Sequence, residues 1–200
     1  MSSKKKIFDS IDQTIGKTPM VRLNNIAREF NLYGNIIAKL EFFNPLGSVK
    51  DRIGLAMIND AEKKKKINSD TVIIEATSGN TGIALAFVCA ARGYKLILTM
   101  PTSMSLERRK MLNFLGAKIT LTPKEFGMNG AIQEAEKIHQ QTENSIILNQ
   151  FSNQANPRIH FNTTAAGSNH LGRWTPGAMI STPNTVPSRD IELCIAGLPA

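Results

Sequence analysis

The sequence predicts an α/β fold built on a parallel sheet, and three observations carry that expectation. Short β-type runs alternate with helical patterns from residue 1 to about 165. Strands that alternate with helices are joined by crossovers, which place helices on the faces of a parallel sheet. Several of the strand runs are apolar on both faces, as strands covered from both sides must be. The chain is also rich enough in apolar residues, 42% of 200, to bury a core as one domain or two small ones.

The strand candidates are Ile36–Leu40, Val72–Glu75, Lys95–Leu98, Lys118–Leu121 and Ser145–Leu148. Helix candidates lie between them. Asp51–Lys66 carries Ile53, Met57 and Ala61 at a spacing of four. Gly82–Arg92 is apolar all round and is expected to be buried. Ser105–Leu115 opens with a capping serine and stops before Gly116. Ala131–Gln141 aligns Ile132, Ala135 and Ile138 on one stripe. Right-handed crossovers then bring the carboxyl ends of the strands to one edge, where such folds bind ligands.

From Ala166 onward the pattern changes. Four of the nine prolines (Pro176, Pro183, Pro187, Pro199), four glycines and the one tryptophan, Trp174, fall here, and no amphipathic period of useful length remains. This composition favours turns and disorder over a helix or a core strand.

Composition excludes several classes of function. Charged residues are only 20%, which rules out disorder of the whole chain. The longest apolar run, Ile83–Ala91, is far short of the ~20 residues of a membrane span. The net charge of +8 comes largely from Lys4–Lys6 and Lys63–Lys66. The second run closes a helix candidate, where cations suit the negative dipole end. Aromatics are 6% and do not interleave with the lysines, so a solvated surface is expected rather than a nucleic-acid face. His139, His160 and His170 show no metal-ligand spacing, and no metal site is expected. Two cysteines, Cys89 in an apolar helix and Cys194, make no disulfide framework, and no apolar signal region follows the first lysines. A cytoplasmic location is expected.

Three motifs could carry chemistry. In Asn44-Pro45-Leu46-Gly47-Ser48-Val49-Lys50-Asp51-Arg52 a tight loop delivers Lys50 to a helix start. The positive dipole end disfavours an ammonium there and favours a nucleophilic amine. Taken alone, Lys50 reads first as a solvated helix-start residue paired with Asp51. In Glu75-Ala76-Thr77-Ser78-Gly79-Asn80-Thr81-Gly82 glycines, hydroxyls and a helix N-terminus follow a strand. That is either an anion site or a βα turn with a good N-cap. Asn149-Gln150-Phe151-Ser152-Asn153-Gln154 clusters amides after a strand, where they orient a polar ligand or cap loops. Met100–Ser105 on the same edge either walls the pocket or simply connects strand to helix.

Together, Asn44–Arg52, Thr77–Gly82 and Asn149–Phe151 resemble cysteine synthase, the O-acetylserine sulfhydrylases of the tryptophan-synthase-β-like pyridoxal-phosphate enzymes. Gly16–Val21 and Met104–Arg109 support the match, which runs from residue 7 to about 165. The resemblance implies a three-layer parallel-sheet domain at about 45–150, with the start of a larger domain within 1–165. It implies pyridoxal 5'-phosphate as cofactor, bound covalently by Lys50, which would later move the substrate's α-proton. Asn80 would hydrogen-bond the cofactor's ring hydroxyl, and Thr77, Ser78, Gly79, Thr81 and Gln150 would hold the substrate carboxylate. The implied reaction replaces the acetate of O-acetylserine with sulfide to give cysteine. The implied partners are these small molecules, a second copy in a homodimer and the C-terminal peptide of serine acetyltransferase, with no nucleic acid or membrane.

A family member runs to roughly 300 residues, so the second domain is expected to be largely missing here. Neither the Gly-Thr-Gly-Gly-Thr phosphate loop nor the serine that meets the pyridine nitrogen is in these 200 residues. Weak activity or none is expected of this chain. Degenerate codons for Gly167–Trp174, read one base later, can spell Glu-Ala-Ile-Ile-Trp-Glu-Asp, similar to the family's continuation, so 166–200 is expected to be an atypical, disordered or out-of-frame tail. Two other readings stand beside the main one. One is a non-catalytic fragment acting as a binding or dimerising module. The other is a cystathionine β-synthase-like activity, which shares the lysine and the Thr-Ser-Gly-Asn-Thr-Gly run.

Overall fold

A computed structural model describes residues 7–31, 36–77 and 79–165, together with the strand residues 179–180 and 193–194. The chain divides into two compact units. One is Met1–Ile15 with Lys50–Asn156, and the other is Gly16–Val49 with Pro157–Ala200. Most of the tail that the sequence sets apart, Trp174 and its prolines included, lies outside the described residues.

The first unit is the expected α/β layer structure. Its strands are β3 (Val72–Ala76), β4 (Lys95–Pro101), β5 (Lys118–Thr122) and β6 (Ser145–Ile147), in the order β5-β4-β3-β6. Every pairing is parallel, with Ile74 opposite both Ile97 and Ile147. Alternation along the strands splits their side chains between two faces. On one face Ile73, Leu96, Leu98 and Met100 join a single core with helices α2 (Lys50–Lys63), α3 (Asn80–Arg92) and α4 (Leu106–Phe114). On the other, Ile74 and Ala76 pack with Ala131 and Ala135 of α5 (Gly127–Gln140). The Thr99 hydroxyl on that face donates to the Ala131 carbonyl at 2.7 Å, so a buried strand hydroxyl is satisfied by the covering helix.

Each helix candidate forms, although α5 starts at Gly127, four residues before the expected Ala131, and α2 ends at Lys63, three before the expected Lys66. Ser105 caps α4, its side-chain oxygen accepting from the Arg108 N–H at 3.4 Å, and Gly116 follows with φ +84°. Helix α3 is largely buried as expected, but Ala90 and Ala91 at its end are exposed. Cys89 is buried within it, and burial pushes its thiol up to about 12.

Helices α2 and α3 run side by side in the same direction. A Cβ on Gly54 would lie 2.8 Å from the Ala84 Cβ and 3.0 Å from its carbonyl carbon. Only glycine admits that approach. Near the other end, Glu62 accepts from Arg92 at 2.7 Å. The same thirty-residue offset separates both pairs, so the helices are parallel and in register. Arg92 also grips Asp12 of the short 3-10 turn Ile11–Thr14, at 3.0 and 2.7 Å, and Tyr94 donates to Glu62 at 2.9 Å.

The second unit holds a smaller pairing. Ile37–Lys39 (β2) forms a strand where one is expected, but it pairs antiparallel with β1 (Met20–Arg22), outside the parallel sheet. Strand β1 has three residues and helix α1 (Asn24–Glu29) six with none buried, too short and too exposed to leave a periodic signal. Strands β7 (Met179–Ile180) and β8 (Leu193–Cys194) pair antiparallel.

Replacing Gly54 by Ala is expected to force α2 and α3 apart and cost about 1–3 kcal/mol in urea unfolding, with Ala84→Gly in the same chain restoring part of the loss. Burial opposes the charge of Asp12, but hydrogen bonds from Ser10 and Arg92, with Arg92's charge, outweigh it and hold the carboxyl below its ordinary 3.8. Its stabilisation is therefore complete above that value and is lost as pH falls below it. In acid titrations followed by circular dichroism, Asp12→Asn is expected to lack that part of the acid limb.

Candidate active site

The carboxyl edge of the parallel sheet gathers the turns that follow β3, β4, β5 and β6. The turn after β3 continues the ladder for one residue, the Thr77 N–H donating to the Thr99 carbonyl at 3.1 Å. The Thr77 hydroxyl, buried, then accepts from the Gly79 N–H at 3.3 Å. Gly82 makes room for this threonine: a Cβ there would stand 2.8 Å from Thr77 Cγ2. Gly79 is the N-cap of α3, and nothing lies within 4 Å of where its Cβ would be. The turn therefore leads into a helix N-terminus with no side chain at its cap, and helix N-termini favour a carboxylate or phosphate.

The turn after β6 meets this one. The Thr81 hydroxyl donates to Gln150 Oε1 at 2.7 Å. The turn is fastened from below by Glu75 of β3, which accepts from the backbone N–H groups of Asn149 (2.8 Å) and Gln150 (3.0 Å). Burial pushes the Glu75 carboxyl up, and the two N–H bonds only partly offset it. The turn after β4 is held by Arg109, which donates to the Met104 carbonyl at 2.7 and 3.0 Å and to the Thr102 carbonyl.

Lys50 is the half-buried first residue of α2. The register of α2 on α3 carries the thirty-residue offset back to the helix starts, so Lys50 and Asn80 open the two helices at the same level. Each lies about one helical turn, ~6 Å of axis, from the Gly54–Ala84 contact. Both residues are therefore at one end of the helix pair, where both dipoles are positive. Within the second unit, the loop that leads to Lys50 is anchored by a buried polar network. Asn44 donates to the Glu41 carbonyl (2.8 Å) and carboxylate (2.9 Å), and Thr18 donates to the same carboxylate at 2.6 Å. The Gly16 N–H donates back to Asn44 at 2.8 Å, and Lys39 to the Thr18 carbonyl at 3.2 Å.

Of the residues expected to form a site, Thr77, Gly79, Thr81 and Gln150 are joined directly or through one neighbour, and Lys50 and Asn80 are aligned by the helix pair. Ser78 lies outside the described residues. Glu75 and the Thr18–Glu41–Asn44 network receive no role in the sequence reading. For Glu75 the signal is an acid within the apolar run Ile73-Ile74-Glu75-Ala76, where a charge must be met by donors.

The α/β layer thus has a lysine at the start of one helix and a glycine- and hydroxyl-rich turn at the start of its parallel neighbour, and comparison with known proteins shows the class to which such a chain belongs. The family described as "Pyridoxal-phosphate dependent enzyme" matches residues 11–167, and the chain belongs to it. Its relatives are more particular. The chain is 56% identical over 158 residues to a cysteine synthase of a Flavobacterium species, covering 79% of this chain and 50% of that protein. It is 56% identical over 160 residues to cysteine synthase A of Escherichia coli (strain K12), covering 80% and 48%. The crystal structure of cysteine synthase (OASS) from Entamoeba histolytica superposes with a TM-score of 0.78 at 39% identity, over 84% of this chain and 50% of that one. The chain spans about half the length of the curated relatives it matches.

Removing the hydroxyl in Thr81→Val or the amide in Gln150→Leu is expected to cost roughly 1 kcal/mol each in denaturant unfolding. The double variant should lose less than the sum of the two, since both remove the same bond.

Proposed function

We propose that this chain carries the cofactor-lysine and substrate-carboxylate half of a cysteine synthase site, whose reaction replaces the acetate of O-acetylserine with sulfide to yield cysteine. The observation that supports the reading most is the parallel register of α2 on α3, which brings the helix starts that carry Lys50 and Asn80 to one end of the pair. The family implies pyridoxal phosphate, and the residues present fit it: a lysine and an asparagine open the two helices at that end, and the Gly79 cap has room where a Cβ would be. When bound, that group supplies an aldehyde carbon for a lysine and a conjugated ring that takes up negative charge.

The chain's own residues then divide the work. Lys50 would hold the group through its amine, and the same Nζ, when free, is the base that would take the proton from the substrate's Cα. The Asn80 amide would donate to the cofactor's ring hydroxyl. Thr77, Ser78, Gly79, Thr81 and Gln150 hold the substrate carboxylate at the positive end of α3, which fixes the Cα–H bond relative to Lys50. The same turn suits the terminal carboxylate of a peptide, such as the C-terminus of serine acetyltransferase. The enzyme works in the cytoplasm as a homodimer. Residues 1–165 form the N-terminal region of the fold, and 166–200 are a tail foreign to it. Without a phosphate loop or a partner for the pyridine nitrogen among these residues, the 200-residue chain turns over weakly or not at all. A second acceptor has one specific support. The O-acetylserine dependent cystathionine beta-synthase from Helicobacter pylori superposes with a TM-score of 0.77 at 38% identity, over 84% of this chain and 55% of that one.

The full chain, incubated with pyridoxal phosphate and reduced with borohydride, is expected to carry the cofactor on the peptide containing Lys50. Lys50→Ala should carry none there. Labelling spread over the lysines without preference for Lys50 would refute the reading. Product analysis with O-acetylserine and either sulfide or homocysteine separates cysteine from cystathionine formation, and brisk turnover would overturn the expected weak activity.

A further inference from the structure

Glu75 borders the proposed carboxylate site without belonging to it. It is 2% exposed, within β3, where a charge persists only if donors meet it. Both oxygens are met, Oε2 by the Asn149 N–H at 2.8 Å and Oε1 by the Gln150 N–H at 3.0 Å. These bonds begin where the backbone ladder ends. Strand β6 pairs with β3 as far as Ile147, and the Leu148 N–H reaches the Ile74 carbonyl at 3.4 Å. The next two N–H groups turn to the carboxylate instead. Between them the backbone enters the left-handed region at Asn149, φ +51°, which a non-glycine residue holds only when its surroundings enforce it.

The turn is tied further by the Asn149 carbonyl, which accepts from Ser152 (3.1 Å) and Asn153 (3.0 Å). The Gln150 carbonyl accepts from the Asn156 amide at 2.9 Å. Gln150 is thus gripped at its backbone by Glu75 and at its side chain by Thr81, whose hydroxyl donates to Oε1 at 2.7 Å. With Oε1 engaged, the two Nε2–H donors are what Gln150 has left to offer an anion.

We propose that Glu75 is a positioning residue: its carboxylate fixes the backbone of Asn149 and Gln150 so that the Gln150 amide docks on Thr81 and turns its N–H donors to the substrate carboxylate. The last clause rests on the reading of the α3 N-terminus given above. Chemistry explains why the residue is an acid. Two converging N–H donors need two acceptors, and a glutamine would set its own NH2 against one of them.

The test uses the full chain, Glu75→Gln and Glu75→Asp, with Gln150→Ala as reference. The first readout needs no ligand. In the unsubstituted chain the Asn149 and Gln150 amides are expected to be protected from hydrogen exchange although Asn149 is exposed. In Glu75→Gln both should exchange about tenfold faster or more, with the Gln150 side-chain amide resonances shifted toward those of a free glutamine. Amides of β4 should be unchanged. The second readout is acetate, a bare carboxylate, titrated against the Thr81 and Gln150 resonances. Its binding should weaken severalfold in Glu75→Gln and Gln150→Ala and no further in the double variant.

Unprotected Asn149 and Gln150 amides in the unsubstituted chain overturn the proposal, even if neither variant folds. So does unchanged exchange in Glu75→Gln, and so does faster exchange with unchanged acetate affinity, which reduces Glu75 to a structural tie. If acetate perturbs neither residue in the unsubstituted chain, the carboxylate-site reading fails, and the ligand clause with it. The exchange data then still decide whether Glu75 docks Gln150 on Thr81.

Discussion

Helix α2 lies on α3 with no side chain between them at Gly54, and the site depends on that contact. A parallel pair in close register brings two helix N-termini to one place, so two positive dipole ends and the residues that open each helix converge. Lys50 and Asn80 are thirty positions apart in sequence and open their helices at the same end of the pair only because of it. The Arg92–Glu62 ion pair holds the register at the far end. One glycine and one salt bridge thus mark the register of the two helices.

Buried carboxylates give the unit its second organising rule. Glu75 and Asp12 are nearly inaccessible, and each is met by donors from a segment remote in sequence. Such a group costs most when its donors are absent, so it selects the one arrangement that supplies them. Asp12 draws the N-terminal 3-10 turn to α3. Glu75 extends β6 past its last ladder bond. In the second unit Glu41 does the same for Thr18 and Asn44. The carboxylates act where regular backbone pairing has run out and the chain turns.

Much of the fold was legible beforehand, for a plain reason. Ile73, Ile74, Leu96 and Leu98 are apolar because α2 and α3 cover one face of the sheet and α5 the other, and the two periods separate strand from helix. Ser105 and Gly116 mark the ends of α4 by local chemistry that needs no tertiary context. Strand β1, helix α1 and the turn at Asp12 were not legible. They are short and largely exposed, and distant pairing rather than their own pattern creates them. The Thr77–Gly82 turn was readable as an anion site or a cap, and the hydroxyl of Thr77, which accepts from the Gly79 N–H, is part of the turn on either reading.

The residue types at the site, a lysine opening one helix and a glycine- and hydroxyl-rich turn opening the next, were determined by the sequence alone, as was the family they resemble. Local propensity and motif spacing carry that information within a dozen residues. Which elements meet was decided by the tertiary structure: the start of α2 level with the start of α3, Thr81 on Gln150, and Glu75 beneath the turn that holds Gln150. Those meetings depend on helix register and on where a buried charge finds its donors. Both are properties of packing across thirty to seventy-five residues of chain, and no local pattern encodes them.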